Sequence, residues 1–217
     1  MRRMHVVVCG FEHYDGLDVN PCVEVVQALT TQEFAVPHEV SVEVVPVLLP
    51  TSFQHAWPKL REAVNSVHAD IVLATGVKSR AHSVALERCA TNLIDANRPD
   101  ADNVQPRKVP IDANGPAAYW TRLPLRAIFH EYGTANIPAV LSSDAGTFVC
   151  NSLFYQLLHW NAEQDQCLSG FLSFPPVNAA TEFSSGISIE QMISAGRIAV
   201  QQTLTYALRS HANEILE

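Results

Sequence analysis

His5–Cys9 reads HVVVC and stops at Gly10; Asn20–Leu29 reads NPCVEVVQAL; Val40–Val47 reads VSVEVVPV. The first is a short β-branched run bounded by glycine, which predicts a buried strand. In the second, Asn20 stands where a helix N-cap is wanted and Pro21 where the first helical residue sits, predicting a helix to about Leu29. The third is again strand-like, and Pro46, which has no N–H to give, places it at its end or near a sheet edge. Outward from there, Thr51–Val67 carries Phe53, Trp57, Leu60, Val64 and Val67 at helical spacing. Asp70–Ala74, DIVLA, predicts a third buried strand halted by Thr75-Gly76. Strand, helix, strand, helix, strand is the rhythm of parallel pairing with crossover helices. The fold class expected is therefore α/β: a single domain over residues 1–217, with a mostly parallel twisted sheet sandwiched between helices. Ligands in such folds sit beyond the carboxyl ends of the strands, so the loops Gly10–Asn20 and Gly76–Ser83 become site candidates.

Past Ala85–Leu93, the segment Asp95–Pro110 is rich in Asp, Asn and Pro and predicts a long excursion. Tyr119–Tyr132 is amphipathic, Ile137–Ser142 predicts a strand, and Thr147–Trp160 a helix. Leu168–Phe174 predicts a further strand and Ile187–Leu208 a long closing helix. Hydrophobic residues make up 47% and charged residues 17% of the chain, enough apolar material for a substantial core. A net charge of −8 with only 14 Lys+Arg offers no basic patch, so neither nucleic acid nor an acidic membrane surface is an expected partner. The start lacks a signal-peptide pattern and no apolar run approaches spanning length. Five cysteines without a CxxC pair fit neither a disulfide framework nor a zinc site. A reducing cytoplasm is the expected location, with no metal and no cofactor.

The dinucleotide fingerprint is missing after the first strand, since Cys9-Gly10-Phe11-Glu12 lacks the later glycines. The chemistry concentrates at Ser142–Tyr155, SSDAGTFVCNSLFY. A strand ends, a tight Asp-Ala-Gly turn follows, and Cys150 falls in the first turn of the next helix, where N–H groups and the helix dipole favour a thiolate. That placement suits an activated nucleophile, and equally a packing cysteine. On the first view Cys150 is expected to be the only cysteine with a lowered pKa.

AGTFVCN, with Ile137-Pro138-Ala139 before it and Phe154-Tyr155 and Leu158-His159 after it, resembles the nucleophile motif of the pyroglutamyl peptidase I family. Gly10-Phe11-Glu12, Gly16 and Asn20-Pro21 resemble that family's N-terminal signature. Glu87, Ala90, Asn92, Asp95-Ala96, Pro99-Asp100 and Gln105-Pro106 resemble its central block, and Gly170-Phe171 with Pro175 its third. The resemblance implies a cytoplasmic cysteine peptidase that removes N-terminal pyroglutamate from peptides without a metal, and a homotetramer. It places the nucleophile at Cys150 and the orienting acid at Glu87. Phe11, Tyr14, Val77, Phe148 and Val149 would contact the substrate.

The departures are equally specific. Where the family carries its catalytic histidine, this chain has Ser173, in Gly170-Phe171-Leu172-Ser173-Phe174-Pro175. Serine does not take a thiol proton near neutral pH. His13, on the loop expected to line the pocket, is the candidate substitute base. His159 lies more than two helical turns from Cys150 and reads as structural; His82 would face away from Glu87. Two functions follow: a peptidase of full or reduced activity, or a non-catalytic relative that binds an N-terminally blocked peptide or small amide.

Overall fold

The computed structural model describes residues 2–12, 19–164, 167–177 and 187–214. Its centre is a six-stranded sheet in the order β2-β1-β3-β8-β4-β7. The strands are β1 (Arg2–Phe11), β2 (Val40–Leu49), β3 (Ile71–Val77), β4 (Val84–Glu87), β7 (Ala139–Ser142) and β8 (Leu168–Phe174). All neighbours pair parallel except β4 and β8, which run antiparallel. A second sheet of two strands, β5 (Cys89–Thr91) and β6 (Ala118–Trp120), lies outside it. The helices are α1 (Pro21–Leu29), α2 (Ala56–Val67), α3 (Leu125–Thr134), α4 (Val149–Gln164) and α5 (Ile189–Glu214). None of the described helices is long and apolar enough to cross a membrane.

Strand alternation splits the core in two. Met4, Val6 and Val8 of β1 join Leu73 of β3 and Leu172 of β8 under α1, α3 and α5. Their neighbours Val7, Cys9, Ala74 and Phe171 point the other way, under α2 and α4. All seven residues of β3 are buried, as expected of a central parallel strand covered on both sides.

The local expectations meet the structure unevenly. Asn20 caps α1 by accepting from the Cys22 amide at 3.0 Å. Pro46 lies on β2, at the sheet's edge. The helix expected from Thr51 begins only at Ala56, because Ser52 caps a turn there with its hydroxyl accepting from the Gln54 and His55 amides. The amphipathic stretch Tyr119–Tyr132 is divided: its start is strand β6, and α3 begins at Leu125, after Pro124. The Gly76–Ser83 loop is shorter than expected, since β3 runs on through Val77.

The Asp95–Pro110 excursion is held by side chains that mimic backbone partners. Asp100 accepts from the amides of Asp102 and Val104 with one oxygen and from the Phe53 amide with the other. Asn92 donates to the Asp112 and Gly115 carbonyls and accepts from the Ile111 and Asp112 amides. Asp95 joins the excursion to the turn before α4, its amide donating to the Thr147 carbonyl at 3.1 Å and its own carbonyl accepting from the Thr147 hydroxyl at 3.0 Å.

Candidate active site

Register brings three segments together on the α2/α4 face of the sheet. Gly76 of β3 pairs with Ser173 of β8, and Ser173 pairs with Ala85 of β4. Glu87, two residues along β4 from Ala85, shares that face and is a diagonal neighbour of Ser173. On its other side Glu87 pairs with Ser142, the last residue of β7. From Ser142 the chain turns through Asp144 and Gly146, the latter at φ 80°, where a side chain would be strained. It then enters α4, with Cys150 as the second residue.

Cys150 comes down onto Gly76: a Cβ placed there would lie 2.8 Å from the sulfur and 2.8 Å from Phe171 Cζ. Only glycine lets α4 approach the strand so closely. The helix start is anchored by Asn151, whose side chain accepts from the Thr91 amide and donates to the carbonyls of Thr91 and Leu93. Ser173 donates its hydroxyl hydrogen to Glu87 Oε1 at 2.7 Å. Lys78 Nζ lies 3.7 Å from the same oxygen and donates to the Asp144 carbonyl at 2.5 Å. Glu87 is wholly buried, and its second oxygen, Oε2, has no hydrogen-bond partner.

Burial pushes the Cys150 thiol up to about 12, the nearby Cys22 and Glu87 adding to the rise and the Arg98 guanidinium opposing it. The expected lowered pKa is therefore corrected. The helix start does act on the sulfur through the Cys150 amide, but desolvation and the neighbouring carboxylate outweigh it. Glu87 is raised too, first by its own burial, with the Ser142 and Ser173 hydroxyls and Lys78 pulling it back. Cys150 nevertheless keeps partial access to solvent, while Cys9, Cys22, Cys89 and Cys167 are buried. Mild alkylation is expected to label Cys150 first, at a rate that climbs into strongly alkaline solution; equal labelling of Cys22 or Cys167, read by peptide mass mapping, would contradict this.

The other expected site residues divide. Phe11 ends β1 on the Cys150 side and is 3% exposed, so it is more wall than contact. Phe148, half-buried, meets Phe53 edge-on at 5.3 Å and carries Arg98 over its ring at 5.1 Å. Val77 packs among the α1/α5 core, on the opposite face from Cys150, as alternation from Gly76 requires. Val149 is 1% exposed, leaving its backbone rather than its side chain to meet a ligand. His13 and Tyr14 lie outside the described residues. His82 is exposed before β4 begins, and His159 sits 2.8 Å, Nδ1 to oxygen, from the Tyr119 hydroxyl. Among the described residues no cluster of His, Cys, Asp or Glu could hold a metal. The sequence marked the Gly76–Ser83 loop and the segment from Ser142, but gave Gly76, Lys78 and Ser142 no individual role. The two-residue period of β3, extended one turn of the pleat beyond Gly76, would have pointed to Lys78.

The family described as pyroglutamyl peptidase matches residues 4–206. A pyrrolidone-carboxylate peptidase of Brevibacillus brevis is 35% identical over 205 residues, covering 93% of each chain. Pyrrolidone-carboxylate peptidase 1 of Ralstonia nicotianae is 37% identical over 203 residues, 92% of each. The crystal structure of pyroglutamyl peptidase I from Bacillus amyloliquefaciens superposes with a TM-score of 0.83 at 32% identity, over 93% of this chain and 97% of that one. The pyrrolidone carboxyl peptidase of Thermococcus litoralis gives 0.86 at 28% identity, over 95% and 96%. With sequence and fold agreeing along nearly the whole chain, and with Cys150, Glu87 and Ser173 converging at one end of its sheet, the protein belongs to the pyroglutamyl peptidase family.

Proposed function

We propose that the protein is a cysteine peptidase that removes N-terminal pyroglutamate from peptides, working slowly because Ser173 stands where a base would be needed. The observation that carries the reading is the convergence of Cys150, Glu87 and Ser173 around Gly76 in a chain of this family. Cys150 loses its proton to solvent and attacks the pyroglutamyl carbonyl through Sγ, backbone N–H groups in the first turn of α4 receive the oxyanion, and the amine leaves with a proton taken from water. Water then hydrolyses the thioester and releases pyroglutamate. Phe148 and Phe11 supply aromatic wall, joined on the resemblance by Tyr14. None of these steps calls for a metal or cofactor.

The slow element is proton transfer. A thiol pushed to about 12 is almost wholly protonated near neutrality, and the hydroxyl beside it is already committed to Glu87. The relatives, each named as a peptidase, favour this over a purely binding role. Cytoplasmic location and a homotetramer remain part of the proposal by resemblance alone. The test is release of a chromogenic amine from a pyroglutamyl amide by the purified protein and by Cys150→Ala. Slow release abolished in the variant is expected; release that survives the substitution would remove Cys150 from the chemistry.

A further inference from the structure

With Cys150, Glu87 and Ser173 read as the reacting cluster, one charged side chain beside them has no assigned part. Lys78 follows β3 directly, and its amide continues the sheet by donating to the Phe174 carbonyl at 2.8 Å. Two residues past Gly76, it projects on the same face as Cys150. Its ammonium group reaches two things at once: Glu87 Oε1 at 3.7 Å, and the carbonyl of Asp144, in the turn that delivers the nucleophile, at 2.5 Å. The carboxyl it faces is wholly buried, with one oxygen receiving the Ser173 hydroxyl and the other unpartnered. A buried carboxylate so poorly solvated returns to its neutral acid unless a cation is at hand.

We propose that Lys78 is a positioning residue: its ammonium group keeps Glu87 ionised as the acceptor for the Ser173 hydroxyl, and it ties the turn before the nucleophile to the end of β3. An ionised Glu87 holds the Ser173 hydroxyl hydrogen on its own side and so fixes the Ser173 side chain beside β4. A neutral Glu87 would be a weaker acceptor for that hydroxyl.

The groups acting on Glu87 fix the expected sign. Lys78 is the cation; Asp144 opposes it with a negative charge; Cys150 is neutral until it reacts; Ser142 and Ser173 are hydroxyls. Removing Lys78 removes an attraction for the carboxylate, so the protonation midpoint of Glu87 rises. A 13C NMR titration of side-chain carboxyls reads it directly, with the Glu87 signal identified by its loss in Glu87→Gln. Lys78→Met is expected to move the midpoint up by about one pH unit, and Lys78→Arg to leave it near that of the unaltered protein. A midpoint unmoved in Lys78→Met overturns the proposal, even if activity falls, because the lysine would then be only a strut. A midpoint that moves in a protein without measurable peptidase activity supports the role of Lys78 and counts instead against the peptidase reading.

Discussion

Ser173→His raises turnover of a pyroglutamyl amide by roughly 10²-fold or more, the range a positioned general base contributes. The residues paired with Ser173 on either side, Gly76 and Ala85, are small, so neither strand neighbour opposes the larger ring. The site also has an orienter, because Glu87 already accepts a hydrogen bond from position 173 at 2.7 Å. An imidazole placed there would take the Cys150 proton and become a cation between thiolate and carboxylate. That cation lowers the thiol pKa, where Glu87 alone raises it. The gain must vanish in Ser173→His, Cys150→Ala, since the base acts only through the nucleophile. No gain over the unaltered protein would mean that the pocket no longer seats the pyroglutamyl ring, and robust activity before substitution would mean that another base, His13 first, has taken over.

The largest expected loss of stability comes from the residue after Cys150. Asn151 is fully buried and satisfies three backbone groups of another segment: the Thr91 amide and the carbonyls of Thr91 and Leu93. In Asn151→Ala the Thr91 amide and the Leu93 carbonyl lose this partner, at about 1–3 kcal/mol each, and the Thr91 carbonyl is left with only the Leu93 amide at 2.9 Å. A loss of roughly 3–5 kcal/mol is expected, a large part of the 5–15 kcal/mol that holds a typical domain together. Urea unfolding should show a lower midpoint with an unchanged slope. Asn151→Asp should fare no better, because a carboxylate would replace a donor where two carbonyls face it. A loss below about 1 kcal/mol would mean that water replaces the side chain and that the anchoring of α4 lies elsewhere.

Much of this architecture is legible in the residues. Asn20-Pro21 marks the start of α1 because cap and first-turn chemistry are local, and Leu168–Phe174 matches β8 residue for residue because the run is apolar and bounded. What escapes is what depends on pairing. Val84–Glu87 is only four residues long, too short for a period to declare itself, yet β4 carries Glu87 and is the one strand set antiparallel against β8. Tyr119 reads as helical until its partner Ala90 on β5 makes it a strand residue. At the site, the placement of Cys150 at a helix start was readable and its proton affinity was not. A dipole belongs to one helix, whereas the burial and the carboxylate that oppose it come from β3, β4 and β8, far away in sequence. Lys78 was hidden for the same reason: its meaning lies in the distance to Glu87, which only the β3-β8-β4 register creates.

The pH dependence of kcat/KM for a pyroglutamyl amide, measured on the unaltered protein with Cys150→Ala as its blank, tests most directly whether a base works beside Cys150. If deprotonation of a thiol near 12 limits the reaction, the rate climbs about tenfold per pH unit through the alkaline range with no plateau near neutrality, and the blank is flat. A bell-shaped profile with full activity near neutral pH would contradict it, for it would reveal a working base beside Cys150.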